Sequence, residues 1–189
     1  MSNKVKIPLY ILIFVIFIVM TVLLYNRLTE NADSTLSVET EQGEIQSGDE
    51  DKVEAPDFTV FDKDGNEMKL SDTEGTPVVL NFWASWCPPC KEEMPHFDLL
   101  HEELGDDVKF MMVDLVDGRR ETVETGDEYI TEQGFSFPVF FDTNQEAAYT
   151  YGIRSIPTTL FIDKDGYIIT GAKGAIDEET LRRGIDMIK

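Results

Sequence analysis

The alternation of hydrophobic and polar positions divides the chain into three regions. Residues 7–25 form an apolar run without a charged residue, and a run of this length can cross a bilayer as a helix. Residues 26–52 are polar, acidic and poor in aromatic residues, so we expect an acidic flexible linker there. Residues 53–189 alternate short apolar stretches with amphipathic ones, which predicts a single folded domain.

The charges that flank the apolar run predict its orientation. Lys4 and Lys6 precede the run, whereas the residues beyond Arg27 are mostly acidic. Because positively charged flanks of a membrane helix tend to stay on the cytoplasmic side, residues 1–6 are expected in the cytoplasm and the folded domain outside it. A cleaved signal peptide is the alternative, but its apolar region is usually shorter and no A-x-A site follows Tyr25. We therefore expect an uncleaved, single-pass anchor in the cell membrane.

Within the folded region, the hydrophobic pattern predicts strands in alternation with helices. An N-terminal hairpin is predicted because residues 58–61 and 67–70 flank the turn signal of residues 62–66. Further strands are predicted at residues 77–83, 108–115, 137–141, 158–162 and 167–171. Helices are predicted after residue 87, at residues 119–133 and 144–151, and after Asp177. This order predicts an α/β fold in which a central mixed sheet is flanked by helices on both faces.

Composition and charge narrow the function classes. The chain has 189 residues, of which 42% are hydrophobic, and this allows one domain with a core plus appendages. The net charge of −21 argues against a nucleic acid partner, because phosphate binding needs a basic face. Only two cysteines are present, so a stabilising framework of disulfides is excluded.

The strongest chemical signal is the segment of residues 84–95, ASWCPPCKEEMP, which holds both cysteines. It joins a buried strand to the helix that follows, so Cys87 is expected at the helix cap. There, unpaired backbone N–H groups and the helix dipole lower the pKa of a thiol. Pro88 and Pro89 suit the first turn of a helix. Cys90 lies one turn further on and faces inward, and an exposed thiolate beside a second thiol predicts thiol–disulfide exchange.

Two other interpretations of the cysteine pair compete with exchange. A structural disulfide more often joins distant segments, and so small a ring adds little stability. A metal site would need further ligands, but the chain has only two histidines, His96 and His101, both further along the same predicted helix. We interpret these histidines as surface or filler positions, and we expect redox exchange without a metal or another cofactor.

The motifs around the cysteines resemble a known family. WCPPC after a buried strand, Pro95 five residues past Cys90, and the later segment SIPTTLFIDKDG resemble the thioredoxin superfamily. The anchor, the CKEEMP continuation and the additional segment of residues 119–141 are similar to its TlpA/ResA-like branch of membrane-anchored, extracytoplasmic thiol–disulfide oxidoreductases. The resemblance covers the chain from about residue 55 onward. It implies a thioredoxin-like fold with an N-terminal hairpin and a central insertion.

The resemblance also implies roles for individual residues. Cys87 would be the attacking thiolate and Cys90 the resolving thiol of a redox-active disulfide. Pro157 matches the cis-proline that faces the active site in this superfamily, and the backbone of Ile156 would then pair with a substrate chain. The alternative is an ordinary trans turn before a strand. The candidate substrate-binding residues are Trp86, Pro88, Pro89, Ile156 and Pro157.

Glu93 is the third candidate catalytic residue. It lies three residues past Cys90 on the helix face that carries Phe97 and Leu100, so we expect it to point inward. The resemblance places the ResA-like active-site glutamate at this position. A partly buried carboxylate there could carry protons for the cysteine pair, and its charge would oppose a nearby thiolate. The alternative is that residues 91–93 are a solvated helix start.

Three positions next to the motif qualify this picture. Asn81 departs from thioredoxin itself, in which an aspartate lies under the cysteines. Because asparagine cannot exchange a proton, Glu93 could take over that task. Trp83 is expected to pack in the core, whereas Trp86, next to Cys87, is expected to shield the site or to touch the substrate.

Together, the residues and the resemblance predict an extracytoplasmic thiol–disulfide oxidoreductase that reduces disulfides in substrate proteins. The resemblance implies apocytochrome c or other extracytoplasmic thiol proteins as substrates, and a membrane electron conduit similar to CcdA or DsbD as the donor. The direction is not fixed by sequence, because the same dithiol runs either way according to its potential. One alternative is a thiol peroxidase of the peroxiredoxin type, although WASW before Cys87 supplies no threonine for that chemistry. Another is a non-enzymatic metal or haem chaperone.

Overall fold

The computed structural model describes residues 18, 20 and 52–189. The predicted anchor, apart from Ile18 and Met20, and the predicted linker up to residue 51 lie outside the described residues. Within the part of the chain that is described, no helix is both long enough and apolar enough to cross a membrane. The predicted anchor, linker and domain boundaries therefore stay predictions.

Residues 52–189 build one mixed sheet of eight strands in the order β1-β8-β7-β4-β5-β6-β2-β3. β5 pairs in parallel with β4 and with β6, whereas β7 pairs antiparallel with β4 and β8. The predicted mixed sheet is therefore confirmed. The strands are β1 (Val53–Glu54), β2 (Thr59–Phe61), β3 (Glu67–Lys69), β4 (Val78–Trp83), β5 (Lys109–Asp114), β6 (Val139–Phe141), β7 (Thr158–Ile162) and β8 (Tyr167–Lys173).

Helices cover both faces of this sheet, as predicted. Helix α1, which follows the cysteine motif, and the C-terminal helix α4 pack on one face, where their apolar residues join a single buried cluster. The short helix α3 and the N-terminal hairpin contribute to a second cluster on the other face. The α-helices are α1 (Pro88–Leu104), α2 (Val123–Gln133), α3 (Glu146–Thr150) and α4 (Glu178–Ile188), and 3-10 helices span Leu70–Thr73 and Gly105–Asp107.

Strand β4 is the centre of the sheet, and it carries the active-site loop at its carboxyl end. All six of its residues are buried, and β5 and β7 bond to its two edges. Because successive side chains of a strand point to opposite faces, Val79 and Trp83 join the cluster under α1, while Leu80 and Phe82 join the other. Full burial of each large apolar side chain contributes about 1.5–3 kcal/mol, so the loop starts from a firmly packed strand.

The start of α2 differs from the prediction. The pattern predicts a helix from residue 119, but α2 begins only at Val123. The reason is the carboxylate of Asp117, whose Oδ1 accepts the backbone N–H groups of residues 119–121 at 2.8, 2.7 and 3.0 Å. These bonds hold the chain in a turn, and Thr122 then caps the helix by accepting the N–H of Thr125 at 3.2 Å.

Candidate active site

The two cysteines lie between the end of β4 and the start of α1, and they are joined in a disulfide. Cys87 is the N-cap of α1 in an extended conformation, as predicted, and its Sγ accepts the backbone N–H of Cys90 at 3.3 Å. Pro88 occupies the first helical position, where a missing N–H costs no hydrogen bond. The sulfur of Cys87 is thus placed where the helix dipole favours an anion once the disulfide is reduced.

Cys87 is less accessible than the sequence predicts. Its exposed fraction is 3%, and Cys90 is fully buried. The cause is the loop before β7, because the Ile156 carbonyl oxygen lies 3.9 Å from the sulfur of Cys87. The prediction of an exposed Cys87 is therefore wrong for this disulfide-bonded state.

The loop that faces the disulfide contains the one cis peptide bond of the described residues, between Ile156 and Pro157. The predicted cis bond before Pro157 is therefore confirmed, and the alternative of a trans turn is excluded. The hydroxyl group of Thr158 donates to the carbonyl of Ser155 at 2.8 Å, and the carbonyl of Pro157 accepts the N–H of Gly174 at 2.9 Å. The first bond lies within the loop, and the second joins the loop to the residue that follows β8. Pro157 is buried, and Ile156 is half-buried beside Cys87.

The outer rim of the site is formed by exposed residues. Trp86, Pro88 and Pro89 are exposed around the buried disulfide. The guanidinium carbon of Arg120 lies 3.6 Å from the centroid of the Trp86 ring, in the geometry of a cation–π contact. Trp86 also borders a pocket of about 290 Å³ whose wall includes Ile156. Trp86 and Ile156 thus meet at one surface, whereas Pro88 and Pro89 lie outside the pocket lining.

Glu93 points inward from α1, as predicted, and is 1% exposed. Its Oε1 accepts the side-chain N–H of Asn81 at 2.8 Å, and its Oε2 accepts the backbone N–H of Ile176 at 3.0 Å. Burial raises the pKa of Glu93 to about 7, although both hydrogen bonds oppose the increase. The side chain can therefore exist in either protonation state near neutral pH, which suits a proton carrier.

Two buried carboxyl groups next to this site were not predicted from the sequence. Asp114, the last residue of β5, and Glu121, in the loop before α2, are both 0% exposed. Glu121 accepts a hydrogen bond from the hydroxyl group of Ser85, two residues before Cys87, at 2.8 Å. The available signal was a single acidic residue in the otherwise apolar segment FMMVDLV. No signal in the sequence indicates that Glu121 is buried, because this residue follows two arginines in a polar segment.

Potential metal ligands do not gather in the described part of the chain. No group of three or more histidine, cysteine or acidic side chains there could hold a metal ion. His101 packs instead against the ring of Phe110, with 5.5 Å between the ring centroids. The cysteine pair therefore meets no third ligand among these residues.

The amino-acid sequence is similar to those of known thiol–disulfide oxidoreductases. The AhpC/TSA family matches residues 52–170. The thiol-disulfide oxidoreductase ResA of Bacillus anthracis is 36% identical over 131 residues, which are 68% of this chain and 72% of that protein. ResA of Halalkalibacterium halodurans is 33% identical over 137 residues, covering 72% of this chain and 76% of that protein.

The fold is also similar to those of solved structures. StoA from Bacillus subtilis superposes with a TM-score of 0.60 at 28% identity, covering 68% of this chain and 96% of StoA. The exposed lipoprotein thioredoxin of Streptococcus pneumoniae superposes with a TM-score of 0.59 at 33% identity, covering 69% of this chain and 98% of that one. The predicted thioredoxin-like fold is thus confirmed.

Proposed function

Because this chain belongs to the AhpC/TSA family and to its ResA-like thiol–disulfide oxidoreductases, we propose that it reduces disulfides in proteins outside the cytoplasm. The observation that carries the proposal is the position of the Cys87–Cys90 disulfide in the first turn of α1, against the Ile156–Pro157 loop. A sulfur at a helix N-terminus is activated for exchange. A second sulfur three residues away can then release whatever the first one binds.

The reaction proceeds in two exchanges. The thiolate of Cys87 attacks one sulfur of a substrate disulfide, so that an S–S bond forms to Cys87 and the other substrate sulfur leaves as a thiolate that takes up a proton. Cys90 then loses its proton and attacks the sulfur of Cys87. The mixed disulfide breaks, the second substrate sulfur leaves and is protonated, and the Cys87–Cys90 disulfide is restored. Two electrons pass to the substrate in each turnover.

In this mechanism Glu93 carries the proton of the second exchange. It lies one helical turn beyond Cys90 on the buried side of α1, and its pKa of about 7 allows it to take up a proton and to return it near neutral pH. Asn81 and Ile176 hold its two oxygens in place. The substrate side of the site is formed by Trp86 and Ile156, with Pro88 and Pro89 at the rim and Pro157 beneath them.

The substrates and the donor are part of the same proposal. The relatives are named for thiol–disulfide exchange, and the resemblance to the ResA-like branch favours the reductive direction, with apocytochrome c among the substrates. A membrane electron conduit similar to CcdA or DsbD would return electrons to the cysteines. The apolar run of residues 7–25 would hold the domain at the outer face of the cell membrane, close to such a conduit.

Trapping of the redox state in cells tests the direction. Alkylation of the chain in living cells is expected to find the cysteines mostly reduced, and oxidised when the conduit is deleted. Cysteines that are oxidised in both strains would contradict the reductive direction. The Cys90→Ser variant is expected to accumulate mixed disulfides between Cys87 and its substrates, and the matched control Cys87→Ser/Cys90→Ser is expected to accumulate none.

The family match favours one second candidate, a peroxidase, because AhpC/TSA is the family that matches residues 52–170. The residues before Cys87 supply no threonine for peroxide chemistry, and Cys87 is bonded within its own helical turn. A hydrogen peroxide turnover assay separates the two functions. Peroxide consumption that is faster than reduction of a protein disulfide would replace our proposal by the peroxidase.

A further inference from the structure

Two carboxyl groups are buried beside the active-site loop without a cation. Asp114 and Glu121 are both 0% exposed. Among the described residues, neither forms a salt bridge. An isolated buried carboxylate costs several kcal/mol even after relaxation, so two such groups side by side need a physical explanation.

The hydrogen bonds around the pair show how one negative charge can be held. Glu121 accepts from the hydroxyl of Ser85 at 2.8 Å and from that of Thr125 at 3.5 Å. Neither oxygen of Asp114 has a donor in the described structure, which suits a protonated acid that donates to Glu121. Burial first, and the charge of Glu121 second, raise the pKa of Asp114 to about 9. At neutral pH the two carboxyl groups then hold one proton and one negative charge between them.

The fold makes specific room for this arrangement. Gly126 of α2 faces Asp114, and a methyl group at that position would overlap Oδ2 of Asp114. The Asp117 turn delays the start of α2 and places Glu121 inside the protein rather than on a helix surface. The pair is thus enclosed by three elements, which are the end of β5, the loop before α2 and the first turn of α2.

The pair is connected to the cysteines through the end of β4 and the loop that follows it. Asp114 is the register partner of Trp83 at the end of β4, and Trp83 belongs to the same buried cluster as both cysteines. Ser85, which donates to Glu121, lies in the loop between Trp83 and Cys87.

The other charged groups near the loop include Glu93, which is buried beneath α1, and two exposed cations at the rim, Lys91 over the Tyr129 ring and Arg120 over the Trp86 ring. The pocket beside Trp86 is also lined by Asp117, Asp142 and Arg154. Asp142 is buried, its N–H donates to the carbonyl of Asp114 at 2.9 Å, and its carboxylate accepts the N–H groups of Ala147 and Ala148.

We propose that Asp114 and Glu121 share one proton and hold a single negative charge beside the active-site loop, which makes the reduced cysteine pair a stronger reductant. The disulfide carries no charge, whereas the reduced pair carries a thiolate that a nearby anion destabilises. The reverse case is a strong oxidant, whose reduced form is stabilised. The inference rests on the proposed thiol–disulfide exchange of Cys87 and Cys90.

The equilibrium with glutathione measures this effect. In that reaction the Cys87–Cys90 disulfide and two glutathione molecules give the dithiol and one glutathione disulfide, so two electrons and two protons pass to the chain. The variant Asp114→Asn/Glu121→Gln removes the charge. It is expected to favour the dithiol about tenfold more than the unmodified chain, equivalent to about 30 mV, at pH values above the pKa of Cys87. The shift is expected to fade below that pKa.

The single variants distinguish a shared charge from mere packing. Asp114→Asn leaves the negative charge on Glu121 and is expected to stay within about twofold of the unmodified chain. In Glu121→Gln, burial still raises the pKa of Asp114 and keeps it protonated, so this variant loses the charge and is expected to shift as far as the double variant. The control Glu102→Gln removes an exposed charge of α1 and is expected to change nothing. A folded double variant without a shift, or a full shift in Asp114→Asn, would overturn the proposal.

Infrared spectroscopy keeps the inference testable even if the double variant does not fold. At pH 8 the carbonyl band of protonated Asp114 is expected in the unmodified chain and in Glu121→Gln, and it is expected to disappear in Asp114→Asn. An unmodified chain without this band, or a band that persists in Asp114→Asn, would overturn the shared proton. These measurements are made on the purified protein, so a failure of the proposed direction in cells leaves them interpretable. A chain that exchanges no disulfide with glutathione would overturn the proposed function itself.

Discussion

The variant Glu93→Gln replaces the buried carboxyl group of Glu93 by an amide of nearly the same size, so it leaves no cavity. In the structure, the amide of Asn81 donates to Glu93 and to Thr159, while its own oxygen has no partner. A rotated Asn81 amide would accept from a protonated Glu93, or from the side-chain amide of the introduced glutamine, and from the Thr159 hydroxyl. The remaining oxygen of the side chain would still accept the N–H of Ile176. The variant is therefore expected to fold and to lose only the titration.

The size of the effect follows from the raised pKa of Glu93. Folding raises this pKa from the ordinary value of 4.5 to about 7, and each pKa unit corresponds to about 1.4 kcal/mol. Because the folded state binds the extra proton, its stability falls as the pH rises from about 4.5 to about 7, by up to about 3 kcal/mol. In Glu93→Gln this loss is absent. The variant is expected to match the unmodified chain near pH 4.5 and to exceed its stability near pH 7.5.

Urea unfolding followed by tryptophan fluorescence measures this difference. Both tryptophans of the chain, Trp83 and Trp86, lie in the folded domain, so the signal reports that domain in the full-length protein. The disulfide is kept oxidised, so that ionisation of the cysteines makes no contribution. The difference in unfolding free energy between variant and unmodified chain is plotted from pH 4.5 to pH 8.

A neighbouring residue supplies the control. Glu92 is exposed on the same turn of α1, and Glu92→Gln is expected to show a difference that hardly depends on pH. If Glu93→Gln gives the same flat line, Glu93 ionises like a surface carboxylate. The proton-carrying role assigned to it would then be refuted.

Two glycine substitutions test the packing around the site. Gly126→Ala is expected to lower the free energy of unfolding by about 1–3 kcal/mol, because its methyl group would overlap Asp114 and crowd the Phe141 ring, and urea unfolding measures the loss. Gly184→Ala on α4 would overlap the Phe161 ring and is expected to cost a similar amount while leaving the glutathione equilibrium unchanged. Equal changes of that equilibrium in both variants would contradict a specific role for Asp114.

Local patterns predicted most of the fold because most elements depend on local signals. The strand of residues 158–162 was predicted with its observed bounds, since its apolar run ends at the turn signal Asp163–Gly166. The two-residue strand β1 was missed, because its residues are exposed and only the pairing of Val53 with Ile168 and of Glu54 with Tyr167 defines it. The start of α2 was predicted too early, since a single side chain, Asp117, overrode the helical pattern.

The site was predictable where one segment determines it. The cap position of Cys87 and the inward direction of Glu93 follow from the spacing along α1, and both were found. The burial of Cys87 was not, because it depends on Ile156, which lies 69 residues further along the chain. The Asp114 and Glu121 pair was missed for the same reason, since sequence alone does not show that the two residues meet.

The central position of β4 has a consequence for how the protein works over many turnovers. Its amides are bonded on both sides, by β5 and by β7, so opening this strand requires the disruption of the whole sheet. The two cysteines follow the carboxyl end of this strand, at the cap and in the first turn of α1, and Trp86 and Ile156 lie in the loops around them. Repeated oxidation and reduction of the cysteines are therefore expected to leave the pairing of the central strands unchanged.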